Sequence, residues 1–146
     1  IRKSFFCFRC YNCFINNEIK NKMKTAQDYL NEANKIVPKI STPDGIGKHG
    51  DDNTLFIDVR ETIEINKTGT IAGAIRIPRG LLEFIADENT AFHNKALDKK
   101  KEIILVCGAG GQAALSGKTL KEMGYENVHN VGGFQDWVDA NGPVET

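Results

Sequence analysis

The chain holds 146 residues with 19 basic and 19 acidic side chains, so its formal net charge is zero. That length suits one domain with a sizeable core. The charge balance gives no steering toward nucleic acid or an anionic membrane, and no apolar run is long enough to span a bilayer.

Residues 1–22 differ in kind from the rest. They hold Cys7, Cys10 and Cys13, three of the four cysteines, and Phe5, Phe6, Phe8 and Phe14, half of the phenylalanines. The two-residue gaps between the cysteines fit a metal knuckle, but structural zinc needs a fourth ligand and none is evident. Cys, Arg and Asn interrupt any signal-peptide core, and no small-residue cleavage site follows. The segment reads as a non-native or disordered extension, with the domain running over 23–146.

Within the domain, helical and strand patterns alternate. Ala26, Leu30, Ala33 and Val37 recur near helical spacing and predict a helix over 25–36. Residues 37–41 read as an edge strand, where Pro38 is tolerated. Pro43, Gly45, Gly47 and Gly50 keep any helix over 42–52 brief. A buried strand over 55–59 follows, then a short helix or turn over 61–66, a strand over 74–77 and a helix over 80–86. The pattern closes with a strand over 103–106, a helix over 111–123, a strand over 128–131 and a helix over 134–141, stopped by Gly142 and Pro143. Such alternation predicts an α/β three-layer sandwich with a central five-stranded, mainly parallel sheet and helices on both faces. Ligands of such sheets bind beyond the carboxyl ends of the strands. Asp58, Arg60, Arg79 and Cys107 all fall on that edge.

Cys107 is the residue with the most chemistry around it. It ends the apolar run Ile103-Ile104-Leu105-Val106 and opens the loop Gly108-Ala109-Gly110-Gly111-Gln112, after which Leu115, Leu120 and Met123 mark a helix. Glycines let the backbone turn several N–H groups inward as an anion nest, and a helix start adds unpaired donors and partial positive charge. Thiols at helix N-termini can fall from about 8.5 to roughly 3.5–7.5 in pKa. A structural buried thiol explains the strand but not the glycines, and the loop matches a dinucleotide fingerprint only weakly.

Four segments together resemble the single-domain rhodaneses, a family of sulfurtransferases. They are Val106-Cys107-Gly108-Ala109-Gly110-Gly111-Gln112-Ala113-Ala114, Leu55-Phe56-Ile57-Asp58-Val59-Arg60-Glu61, Gly69-Thr70-Ile71-Ala72-Gly73-Ala74-Ile75-Arg76-Ile77-Pro78, and the stretch from Met123 through Gly132-Gly133-Phe134 to Trp137. The order is the family's, and the resemblance extends from about Ile36 to the C-terminus. It implies a rhodanese-like fold and sulfur transfer through a persulfide on Cys107. The loop residues Gly108, Ala109, Gly110, Gly111 and Gln112 would bind the substrate.

One departure bears on the donor. Many active rhodaneses carry arginine five residues after the cysteine, where this chain has Gln112. Arg79 is the candidate to supply the missing charge. Asp58 is read as orienting the loop by accepting its N–H groups or as beginning a turn, with structural support of the loop favoured, and Arg60 is expected to form an ion pair with a nearby carboxylate. Neither a metal nor a cofactor is expected. The implied partners are a small-molecule sulfur donor and a thiol, cyanide or protein acceptor, with no nucleic acid or membrane, and a working thiolate suits the reducing cytoplasm.

Two other readings compete. Dual-specificity phosphatases and arsenate reductases share the architecture, but they need a longer loop with arginine six residues after the cysteine. Ala113 stands there. A non-catalytic, rhodanese-like binding or redox-sensing module is favoured by Gln112 and opposed by the retained Cys107. Trp137 is expected to pack the last helix onto the sheet, and His49, His93 and His129 show no pairing with the cysteine.

Overall fold

The computed structural model describes residues 23–146, and the expectations for 1–22, with their three cysteines, lie outside the described residues. The chain runs α1 (Ala26–Ile36), α2 (Thr42–Lys48), β1 (Thr54–Asp58), α3 (Thr62–Thr68), β2 (Thr70–Ile71), β3 (Ile75–Arg76) and α4 (Leu82–Ala86), the last entered by a 3₁₀ turn at Arg79–Leu81. It continues through β4 (Glu102–Cys107), α5 (Gly111–Glu122), β5 (Val128–Gly133), α6 (Phe134–Asp139) and β6 (Val144–Glu145).

The central sheet has the order β3-β1-β4-β5, with every neighbouring pair parallel. Every residue of β4 is buried, as a strand covered on both faces requires. Side chains alternate across the sheet. Ile57, Leu105 and Val128 join Leu82 and Leu120, from α4 and α5, on one face. Phe56, Ile104 and Val131 join Phe134 and Trp137, from α6, on the other, with Ile46 of α2 packed beside them. Trp137 is fully buried edge-on to Phe56, and its indole N–H donates to the Pro143 carbonyl at 2.9 Å. It packs the last helix as expected.

The sheet departs from expectation at its edge. The expected fifth strand over 37–41 is a single bridge, Lys39 to Asn130. Ile40 N–H donates to the Asn130 carbonyl and Asn130 N–H to the Pro38 carbonyl, both at 3.0 Å. Pro38 has no N–H with which to continue the ladder. A separate antiparallel pair, β2 with β6, was not legible in the sequence, because two-residue strands carry no period.

Helix α1 opens on a capping box between Thr25 and Asp28. Its C-terminal end is seated on α5, where Val37 lies so close that a methyl on Gly117 would stand 2.8 Å from it.

Candidate active site

Buried β4 delivers Cys107 to the carboxyl edge of the sheet with 1% of its surface exposed. Gly110 then adopts a left-handed conformation, φ 90°, and caps α5, which lets the chain reverse directly over the sulfur. The Gly110 N–H donates to Cys107 Sγ at 3.0 Å and the Ala113 N–H at 3.4 Å. Both donors are backbone groups fixed before any ligand arrives, and both favour negative charge on the sulfur or on an atom attached to it. Gly110 belongs to the loop named from sequence. Ala113 lies one residue beyond it.

The loop is held by a residue the sequence reading placed only inside a strand. Asn130, 1% exposed, donates from Nδ2 to the Gly110 carbonyl at 2.9 Å and accepts the Gly132 N–H on Oδ1 at 2.8 Å. A buried asparagine is costly unless both ends of its amide are paired. Its place two residues before a double glycine was the available signal. Gly133 matters by close approach, since a Cβ there would stand 2.7 Å from the Gly108 carbonyl oxygen. The register between β4 and β5 shifts at this point, pairing Val106 with Gly132 and Cys107 with Gly133.

Among the described residues no N–H of the cysteine loop donates to Asp58, which corrects the loop-orienting expectation; the other reading, that Asp58 begins a turn, matches the bond it accepts from the Arg60 N–H. Arg60 folds back over it, with Nη2 at 2.6 Å and Nε at 3.0 and 3.1 Å from the carboxylate oxygens, while the Arg60 N–H and the Thr70 hydroxyl also donate to it. The carboxylate is thereby filled. Arg60 is itself buried, donates further to Thr68 Oγ1 and the Gly69 carbonyl, and stacks on Phe134 with 4.4 Å to the ring centre. This pair fixes the turn after β1, where the Val59 N–H donates to the carbonyl of Val106, one residue before Cys107. The expected ion pair of Arg60 is present.

The profile of the Rhodanese-like domain family matches residues 43–140. The chain belongs to that family. A protein of Bacillus subtilis (strain 168), YrkF, named as a candidate sulfur carrier, is 29% identical over 121 residues, which is 82% of this chain and 60% of that protein. The chain thus spans well under the full length of that relative. The rhodanese domain-containing protein CG4456 of Drosophila melanogaster is 33% identical over 93 residues, covering 60% of this chain and 84% of the fly protein. A solved structure from Rhodopseudomonas palustris, of unknown function and described as a candidate tyrosine phosphatase, superposes with a TM-score of 0.79 at 33% identity, covering 84% of this chain and 96% of its own.

Around the sulfur of this rhodanese-like domain the charges are sparse. Arg79 and Gln112 line one groove of about 400 Å³ together with Gly111 of the loop. A carboxylate oxygen of Glu64 lies 3.6 Å from the point where a side chain on Gly108 would begin. The sequence reading did not single out Glu64. Among the described residues no cluster of His, Cys, Asp and Glu is arranged to hold a metal ion, and no helix is long and apolar enough to cross a membrane.

Proposed function

We propose that this rhodanese-like domain transfers sulfane sulfur through a persulfide on Cys107. The observation that carries the reading is the pair of N–H groups, from Gly110 and Ala113, aimed at Sγ at the carboxyl end of a buried strand. Cys107 thiolate attacks the outer sulfur of a donor and forms a new S–S bond. The donor's own S–S bond breaks, and its anion leaves with the electron pair. The outer sulfur of the persulfide occupies the nest over 108–113, and a thiolate, cyanide or protein acceptor then takes it, returning the cysteine thiolate. Two half-reactions through a covalent intermediate give ping-pong kinetics. A thiolate of this kind works in a reducing compartment, and the cytoplasm is the proposed location. Family membership and the similarity to the candidate sulfur carrier of Bacillus subtilis support the reading.

The candidate tyrosine phosphatase from Rhodopseudomonas favours a second reading. A phosphoryl group needs cationic grip on its oxygens. Here Ala113 and Gln112 stand where a loop cation would be, and a Glu64 carboxylate oxygen lies near Gly108.

Mass spectrometry after incubation with a sulfane donor decides between the readings. A mass increase of one sulfur atom on Cys107, absent in Cys107→Ser and removed by cyanide, is expected. Turnover of an aryl phosphate with no such adduct would overturn the sulfur-transfer reading. An inert Cys107 in both assays would leave the domain a binding module.

A further inference from the structure

The groove beside the loop is walled by a helix that lies outside the matched family region. Helix α1 contributes Ala26, Tyr29 and Leu30, facing Leu115 of α5, with Arg79 and Gln112 supplying the polar groups. The wall meets the loop closely, since a Cβ on Gly111 would stand 3.5 Å from Leu30 Cδ2. Its volume of about 400 Å³ falls in the range of sites for organic ligands. A sulfate-sized inorganic anion would leave most of it empty. The walls are apolar except at Arg79 and Gln112, and among the described residues the Arg79 guanidinium has no carboxylate within ion-pair distance.

Resting on the sulfur-transfer reading, we infer that Tyr29 and Leu30 of α1, with Arg79, form a specificity subsite for the organic body of a singly charged sulfane-sulfur compound. The apolar body lies against Tyr29, Leu30 and Leu115. Arg79 meets the single negative charge, and the outer sulfur reaches Cys107 past Gly111. Thiosulfate, doubly charged and without an apolar body, uses little of this surface.

Two thiosulfonate anions test the inference, because they share charge and leaving-group type but differ in body. In each case Cys107 thiolate takes the outer sulfur, and the sulfinate leaves with the electron pair of the broken S–S bond. In the full chain, benzenethiosulfonate should exceed methanethiosulfonate in kcat/KM by about tenfold, from partial burial of the ring. Thiosulfate should be the poorest of the three. Tyr29→Ala and Leu30→Ala should each shrink the benzene-to-methane ratio through KM, while Tyr29→Phe keeps it. Arg79→Gln should slow both thiosulfonates with the ratio intact. The ratio is read within each variant, so partial loss of folded protein cancels. A wild-type ratio near one, or a ratio untouched by both alanine variants, overturns the inference while sulfur transfer stands. Failure of all three donors to modify Cys107 overturns both.

Discussion

Replacing Asn130 with alanine removes the side chain that, among the described residues, ties the cysteine loop to the neighbouring strand. Two bonds go at once, from Nδ2 to the Gly110 carbonyl at 2.9 Å and from the Gly132 N–H to Oδ1 at 2.8 Å. A buried polar group left without a partner costs about 1–3 kcal/mol. The Gly110 carbonyl keeps the Ala114 N–H at 3.0 Å, so only the half-buried Gly132 N–H loses its partner, and the loss should be about 1–2 kcal/mol, or a fall in Tm of about 5 °C for a domain of this size. The chemical effect is separate. Asn130 holds the peptide that follows Gly110, next to the one whose N–H faces Sγ, and with only the Ala114 N–H left on that carbonyl the donor should be held less firmly during the reaction. Deleting an oriented donor outright costs about 10²- to 10³-fold in rate, so loosening one should cost about 10- to 100-fold. Thermal unfolding reads the first effect, and the rate of persulfide formation on Cys107, measured well below the variant's Tm, reads the second. Asn130→Asp sharpens the test, since it keeps an acceptor for Gly132 but turns an oxygen toward the Gly110 carbonyl. It should be no faster than the alanine variant. If Asn130→Ala unfolds at the wild-type temperature and forms persulfide at the wild-type rate, the tether is not what shapes this loop.

Four further outcomes are expected. Gly133→Ala forces a methyl within 2.7 Å of the Gly108 carbonyl and should cost about 1–3 kcal/mol by overpacking along with slower persulfide formation, whereas Gly47→Ala, with nothing within 4 Å, should leave persulfide formation untouched. Asp58→Ala strands the buried Arg60 guanidinium and should destabilise by about 3–5 kcal/mol, measured by urea unfolding. Burial holds His129 below its ordinary value of 6.5, outweighing the nearby Glu102 carboxylate, so the native state binds fewer protons than the unfolded chain, and stability should fall as pH drops below about 6.5; unfolding curves of His129→Gln should show a flatter dependence across that window. Gln112→Arg adds a charged hydrogen-bond donor where a neutral one stood, worth about 1–2 kcal/mol, and should lower the apparent KM for thiosulfate about 5- to 30-fold, with an unchanged KM counting against charge at this position as the control on donor choice.

The parts of the fold that were legible in the sequence are those whose burial imposes a period or a continuous apolar run. The β4 run ending at Cys107 announced a strand covered on both faces, and the glycines after it announced a chain reversal at a helix start. The segment over 37–41 misled in degree. Its composition suits a strand, but pairing depends on donors, and Pro38 supplies none. Asp58 was legible as a buried, structural acid, but its partner was misassigned. The short reach of Arg60 back over its own turn satisfies the carboxylate locally, and no periodicity reports a contact between residues two apart at the end of a strand. Asn130 and Tyr29 escaped for a different reason. Each acts on the site through tertiary approach, one from β5 and one from α1, and the sequence places neither beside residue 110 or residue 79.

The charges around Cys107 divide the work of the site between two sets of groups. Arg60 is buried near the loop, but with Asp58 at 2.6 Å its charge is neutralised and cannot serve a substrate anion. Gln112 adds no charge, and the Glu64 carboxylate near Gly108 has the opposite sign to a cation. In the proposed mechanism, stabilisation of charge on the sulfur therefore falls to the Gly110 and Ala113 N–H dipoles and the start of α5, which are oriented before reaction. Such dipoles favour any anion of the right size, so they cannot choose among donors. In the proposed mechanism, choice falls to groups that touch the rest of the molecule carrying the sulfur, namely Arg79 and the apolar wall of α1. Selectivity should then respond to Tyr29 and Leu30 while the intrinsic speed of persulfide formation responds to Asn130 and Gly133. Two sets of variants that fail to separate in this way would show that loop and groove act as one unit.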